Sequence, residues 1–190
     1  MISAVLLRWK RESELWKIYK RLEKNDLIDE IIVWDNRKIN LINYGRYLGA
    51  LEAKYNTIYV QDDDCYVNNI DALVNNYTKK RPISNIKPSH MQEYKVAPDT
   101  MAGWGMLFEK EWIGILNKYI RLYGIDYVFL RETDRIFTGL FKEFDYIVAD
   151  VEDFPSARDP KIALFQQPNH FKMRAEARKR VKHINEIRSQ

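Results

Sequence analysis

The sequence has few of the features that mark secreted and membrane proteins. Only one of its 190 residues is a cysteine, Cys65, so the chain forms no internal disulfide bond. It contains no run of 18 apolar residues, which argues against a transmembrane helix. The start, MISAVLLRWKRE, lacks a basic first region and a small-residue cleavage site, so it predicts a strand and not a signal peptide. We expect a cytoplasmic chain, either complete or one domain of a longer polypeptide.

Several classes of partner are also disfavoured. Neither a Gly-x-Gly-x-x-Gly motif nor a phosphate-binding Gly-Lys-Ser/Thr loop occurs, which argues against dinucleotide-dependent and ATP-driven enzymes. The net charge of +4 is unevenly placed, because residues 172–190 carry a net +5 and all the others together carry −1. A domain that binds nucleic acid usually has a broader basic surface, so we expect no nucleic-acid partner.

What the sequence does have is an alternation of short apolar runs and amphipathic segments. Its 46% apolar and 31% charged residues are typical of one globular domain. The order strand, helix, strand, helix, strand predicts an α/β fold with a mostly parallel central sheet flanked by helices. An irregular stretch follows residue 90. The predicted strands are 2–9, 28–37, 56–61, 83–89, 105–109 and 144–154, and the predicted helices are 10–25, 39–55, 69–77, 111–124 and 126–141.

Three consecutive aspartates, Asp62, Asp63 and Asp64, follow the apolar strand predicted at 56–61. Ligands of parallel α/β sheets collect at the carboxyl ends of the strands, where this triplet falls. Three neighbouring carboxylates are costly without a cation, because one of them would be driven to bind a proton. Mg²⁺ and Mn²⁺ prefer carboxylate oxygens together with substrate phosphates. The triplet therefore predicts a site for a divalent metal and a phosphate, with a solvated acidic turn as the alternative.

A hydrophobic strand followed by Asp-x-Asp resembles the metal-binding (DXD) motif of nucleotide-sugar glycosyltransferases with the GT-A fold. The run IYVQDDDCYV is similar to the strand end of exostosin-type members, and the resemblance covers most of the chain in order. It implies one GT-A, Rossmann-like α/β domain at 1–171 and a basic C-terminal helix or tail at 172–190. The compact capsid-glycosylating transferases of large DNA viruses are a second resemblance, which implies the cytoplasm of a host cell. The other matching segments are IIVWDN, INYGRYLGALEA, MAGWGMLFEKEW, RETDRIFTGLF and PNHFKMR.

The resemblance also implies residue roles. The reaction-centre motif departs from the family, because Glu132-Thr133-Asp134 stands where exostosins have adjacent Glu and Asp. Asp134 is the preferred catalytic residue, and Glu132 is the second candidate. The implied metal ligands are Asp64, Asp62 and His170. The implied donor-binding residues are Asp35, Asn36, Arg46, Asp62, Asp63, Gly103, Trp104, Lys172 and Arg174.

The function implied by the resemblance is hexosyl transfer from a nucleoside diphosphate sugar, with UDP favoured, to a hydroxyl of a glycan or glycoprotein. The cofactor would be Mn²⁺ or Mg²⁺, which neutralises the leaving diphosphate, while a carboxylate accepts the proton of the acceptor hydroxyl. Two alternatives stay open. A divalent-metal nuclease or phosphatase would use the same aspartates, although the run lacks the threonine of aspartyl-phosphate enzymes. A non-enzymatic module would use the basic tail and leave the aspartates unexplained.

Overall fold

The computed structural model describes residues 1–90, 102–141 and 143–188. A six-stranded sheet forms the centre of the fold, and a short two-stranded sheet lies apart from it. The central strands are β1 (Ile2–Arg8), β2 (Glu30–Asp35), β3 (Thr57–Val60), β5 (Ile83–Ile86), β6 (Met106–Glu109) and β7 (Asp145–Val148). The small sheet pairs β4 (Cys65–Tyr66) with β8 (Glu152–Asp153).

The central sheet has the order β2-β1-β3-β6-β5-β7 and is mostly parallel. β1 pairs in parallel with β2 and β3, and β5 pairs in parallel with β7. Only β6 runs against its neighbours β3 and β5 among the strands of this sheet. This confirms the predicted α/β fold with a mostly parallel sheet. The reversal of β6 was not predicted, since apolar periodicity identifies a strand and carries no information on its direction.

Helices cover both faces of the sheet. The cap of the helix Tyr127–Gly139 is Asp126, whose side chain accepts a 2.8 Å hydrogen bond from the backbone N–H of Phe129. The preceding helix ends at Gly124, whose φ of 73° is the left-handed conformation that glycine adopts readily. The helices are α1 (Glu12–Leu22), α2 (Tyr44–Leu51), α3 (Ile70–Asn76), α4 (Leu116–Tyr123), α5 (Tyr127–Gly139) and α6 (His170–Ile187). Short 3₁₀ turns occupy Pro88–His90, Ala102–Trp104, Lys110–Ile115, Pro155–Arg158 and Leu164–Gln166.

The sheet separates two hydrophobic cores. In β3, Ile58 and Val60 belong to the core shared with α2, α4, α5 and α6, whereas Tyr59 belongs to the core shared with α1 and α3. This alternation follows from the pleat, which points successive side chains to opposite faces. Because helices cover both faces of the sheet, strands such as β3 are apolar at nearly every position.

The basic C-terminal helix is part of the first core. Ala177, Val181 and Ile184 of α6 are buried there, at spacings that place them on one face of the helix. The boundary predicted between residues 171 and 172 falls inside this helix. The irregular stretch predicted after residue 90 lies, as far as residue 101, outside the described residues. Within the described ranges, every helix is too short or too polar to cross a membrane.

Candidate active site

A cleft of about 1060 Å³ lies at the carboxyl ends of β1, β2 and β3. One side of the cleft is formed by residues that follow these strands. The other side is formed by later parts of the chain, namely α5, the segment 157–167 and the start of α6. Most of the residues predicted for the site line this one cleft. They are Asn36, Arg46, Asp62, Asp63, Asp64, Gly103, Trp104, Glu132, Asp134, His170 and Arg174.

Arg46 connects the strand-end acids to α5. Its guanidinium is buried, pairs with Asp62 through Nη2, and places Nη1 3.6 Å from Oδ2 of Asp134. Burial by itself would lower the pKa of Arg46, but the carboxylates of Asp134 and Asp62 outweigh it and raise this pKa. The hydroxyl of Tyr47, the next residue of α2, donates a 3.0 Å hydrogen bond to Oδ1 of Asp134. One turn of α2 thus holds both carboxylates in the cleft.

Asp134 lies just beyond a kink in α5. Glu132 has φ −106° and ψ 21°, which interrupts the helix two residues before Asp134. Burial raises the pKa of Asp134 to about 6, against the opposing effect of Arg46. A carboxyl group with this pKa is mostly ionised at pH 7 and remains a useful proton acceptor. Glu132, the second catalytic candidate, is instead engaged by Arg131 at 3.4 Å and by Arg135 at 3.2 Å.

The other two aspartates share a buried arginine that was not among the predicted site residues. Nη1 of Arg11 lies 2.9 Å from Oδ1 of Asp63 and 3.4 Å from Oδ2 of Asp64. The same guanidinium donates to the carbonyl oxygen of Ser156 from Nε at 3.3 Å and from Nη2 at 3.1 Å. Burial and the neighbouring carboxylate of Asp62 still raise the pKa of Asp64 to about 7, and burial raises that of Asp63 to about 6. At pH 7 the Asp64 carboxyl is therefore only partly ionised, although Arg11 lies beside it.

Replacing Arg11 by methionine is expected to destabilise the fold by about 2–3 kcal/mol at pH 8, because two partly buried carboxylates lose their cation. The loss should be smaller at pH 5, where Asp63 and Asp64 are largely protonated in the folded state. Denaturant unfolding at both pH values measures this. Arg37→Met is the matched control, since Arg37 pairs with Asp35 on the surface and its loss should change stability little. Equal losses in both variants would contradict the expectation.

Gly103 packs against Asp62 so closely that a side chain does not fit. Its carbonyl oxygen accepts a 2.9 Å hydrogen bond from the backbone N–H of Asp62. A Cβ atom at this position would lie 2.6 Å from Cγ of Asp62 and closer still to Oδ2. The adjacent Trp104 lines the cleft, with Nζ of Lys87 4.9 Å from its ring centroid and the ring of His90 4.8 Å away. The 3₁₀ turn therefore sets the position of Asp62 in the cleft.

Gly103→Ala is expected to displace Asp62 and to cost about 1–3 kcal/mol of stability, as overpacking does. Gly114→Ala is the control, because a Cβ at Gly114 would meet no atom within 4 Å. Thermal unfolding of both variants measures the difference. A Gly103→Ala protein as stable as the Gly114→Ala protein would show that Asp62 moves away without cost.

His170 begins α6 and is buried against arginines. Its Nδ1 lies 2.9 Å from Nη2 of Arg131, which is always a donor, so Nδ1 accepts and the neutral ring carries its proton on Nε2. Burial, then the charges of Arg174, Arg131 and Arg135, lower the pKa of His170 to about 4. Across the described parts of the chain, no group of three His, Cys, Asp or Glu side chains is close enough to hold a metal. The metal role of His170 stays a prediction, and it requires the contact with Arg131 to open.

Three other predicted donor-binding residues have different surroundings. Asp35 is exposed outside the cleft lining, where the guanidinium of Arg37 lowers its pKa. Lys172 is exposed on α6 and also lies outside the lining. Asn36 lines the cleft, but its side chain is buried, accepts from Nε1 of Trp34 at 3.2 Å and donates to the carbonyl oxygen of Ile42 at 3.0 Å. Asn36 thus holds the loop between β2 and α2.

Sequence reasoning missed several residues in or behind the cleft besides Arg11. Tyr47, which orients Asp134, lies beside the predicted Arg46, but nothing in the local sequence distinguishes it from a core tyrosine. Tyr127, Phe165 and Phe171 line the cleft and are each more than half exposed. An aromatic residue in a polar segment such as PNHFKMR is the only signal that points to one of them, Phe171.

Comparison with known proteins gives a partial likeness. No family model matches the chain, and no curated protein matches it. Glucosyl-3-phosphoglycerate synthase of Mycobacterium tuberculosis, solved with Mg²⁺ and UDP, aligns over 66% of this chain and 66% of its own, with a TM-score of 0.44 and 14% identity. The same enzyme with Mn²⁺, UDP and glucosyl-3-phosphoglycerate aligns over 66% and 67%, with a TM-score of 0.45 and 14% identity. The chain thus spans about two thirds of the synthase.

Proposed function

We propose that the protein is a metal-dependent glycosyltransferase that moves a hexose from a UDP-sugar to a hydroxyl of a glycan or glycoprotein acceptor. The observation that carries this proposal is the bridge made by Arg46. This arginine lies between Asp62, one of the strand-end acids, and Asp134, a mostly buried acid with a pKa of about 6, and both acids line one cleft. Glycosyl transfer needs this pairing of a leaving-group site with a proton acceptor.

The strand-end carboxylates suit a hard divalent cation. Asp64 has a pKa raised to about 7 by burial and by Asp62, which shows that the folded chain holds negative charge at a cost. Mg²⁺ or Mn²⁺ takes one or two carboxylates and completes its shell with waters and phosphate oxygens. Asp64 and Asp62 would hold the cation, and His170 would join if it left Arg131. A cation bound there supplies Lewis-acid neutralisation of the leaving diphosphate.

The remaining residues would bind and orient the substrates. Asp134, held by Arg46 and Tyr47, would accept the proton of the acceptor hydroxyl, or would stabilise the cationic centre in a retaining reaction. Glu132 is the second candidate, although two arginines already engage its carboxylate. The proposed donor contacts are Asp35, Asn36, Arg46, Asp62, Asp63, Gly103, Trp104, Lys172 and Arg174. The cytoplasmic location and the viral resemblance stay predictions.

Titration of UDP with and without Mn²⁺, followed by calorimetry on the full chain, tests this function. We expect UDP binding that depends on the cation and exceeds the binding of GDP. No response to any nucleoside diphosphate would contradict the proposal. Hydrolysis of a phosphodiester or phosphomonoester without a UDP response would favour the phosphoryl-transfer alternative, which uses the same aspartates.

A further inference from the structure

Three arginines and a histidine from two packed helices line the side of the cleft formed by α5, the segment 157–167 and the start of α6. Arg131 and Arg135 are one turn apart on α5, and His170 and Arg174 are one turn apart on α6. All four line the cleft, and Arg131, Arg135 and His170 are more than nine-tenths buried. α5 and α6 pack against each other, and the contact between Arg131 and His170 brings the two pairs together.

Contacts within the cluster determine which hydrogen-bond donors face the cleft. The guanidinium of Arg131 spans the carbonyl oxygen of Leu164 and Nδ1 of His170, so it orients the imidazole. Because Nδ1 accepts, Nε2 carries the proton and the ring acts as a donor. The Nε atoms of Arg131 and Arg135 pair with Glu132 at 3.4 and 3.2 Å. These guanidinium groups and the oriented imidazole supply hydrogen-bond donors, and three of the four side chains are charged.

We propose that Arg131, Arg135, His170 and Arg174 form an oxyanion site for a phosphate or carboxylate group of a substrate. Planar guanidinium groups bind such oxyanions through paired hydrogen bonds, and an N–H donor of a neutral imidazole completes the set. The N-terminus of α6, an 18-residue helix, adds a favourable dipole. The cluster carries hydrogen-bond donors, whereas the aspartates that follow β3 carry hydrogen-bond acceptors. If the proposed glycosyl transfer is correct, the oxyanion is either the diphosphate of the donor or an acidic group of the acceptor.

Inorganic phosphate is the probe, titrated by calorimetry into the full chain without UDP or metal. We expect saturable binding that Arg174→Gln weakens by roughly tenfold, the effect of one charge-assisted pair. Arg178→Gln is the matched control, since Arg178 makes the same charge change one turn further along α6, is exposed and lies outside the cleft lining. No phosphate binding by the unaltered protein, or equal weakening in both variants, would overturn the proposal.

A second variant covers the case in which Arg174→Gln lowers stability. His170→Phe keeps a ring of similar size and removes the donor, so phosphate binding should weaken several-fold. Unchanged phosphate binding in His170→Phe would also count against the site.

A further phosphate titration in the presence of saturating UDP and Mg²⁺ distinguishes the two substrates that could supply the oxyanion. Displacement of phosphate assigns the site to the donor diphosphate, and simultaneous binding assigns it to a second, acidic substrate. Phosphate binding without any UDP binding would support the oxyanion site and contradict the proposed glycosyltransferase function.

Discussion

Asp134→Asn is expected to lower the rate of sugar transfer by about 10²–10⁴-fold while UDP binding survives. The amide keeps the shape of the side chain and its hydrogen bond from Tyr47, but it cannot accept a proton. The pKa of Asp134 is about 6, so the rate of the unaltered protein should rise with pH through about 6 as the carboxylate ionises. This dependence should disappear from the residual rate of the variant. Initial rates from pH 5 to 8, with UDP release as the signal, measure both effects.

The control for Asp134→Asn is Asp71→Asn, which makes the same change at an exposed residue of α3 outside the cleft lining. It should transfer at the normal rate. Tyr47→Phe provides a graded comparison, because it removes only the hydroxyl that orients Asp134, and a loss of roughly tenfold is expected. A normal rate of sugar transfer in Asp134→Asn would exclude this residue as the proton acceptor and leave Glu132 as the catalytic candidate.

Asp64→Asn is expected to weaken metal-dependent UDP binding by more than about 100-fold. Replacing residues that only support a metal ligand costs about 10–100-fold in metal affinity, and a charged ligand contributes more. Calorimetry with UDP and Mn²⁺ measures this loss. Asp150→Asn, a change at an exposed aspartate outside the cleft lining, is the control. Full cation-dependent binding in Asp64→Asn would show that the cation lies elsewhere.

The same variant should be more stable than the unaltered protein at pH 8. The pKa of Asp64 is about 7 in the folded state, above its ordinary value of 3.8. The proton on Asp64 therefore stabilises the folded state fully below pH 3.8, and this stabilisation is lost as the pH rises through 7. An asparagine never carries the charge, and the gain at pH 8 should be on the order of 1–2 kcal/mol. At pH 4 the gain should vanish. The opposite shift of His170 is present in both proteins and cancels in the comparison. Urea unfolding without metal at pH 4 and pH 8 measures the difference.

The strands and helices were largely predictable, because each depends on local apolar periodicity. The apolar runs before Asp35 and before Asp62 predicted β2 and β3, and the structure confirms both strands. Since both run parallel to β1, their carboxyl ends meet at the same edge of the sheet. The position of the aspartate triplet at that edge follows from the same pattern. Local periodicity did not predict the kink at Glu132, which lies inside a continuous helical pattern.

By itself, the sequence determined the mostly parallel α/β architecture and the place of the aspartates at a strand end. Only the tertiary structure decided which charges face one another. Arg11 reaches Asp63 across 52 residues, and Tyr47 reaches Asp134 across 87. Such pairs depend on how whole helices pack on the sheet. The local sequence around an arginine or a tyrosine does not distinguish a residue on the surface from one in a cleft. The raised pKa of Asp134 and the lowered pKa of His170 come from the same packing, because burial and neighbouring charges set both values.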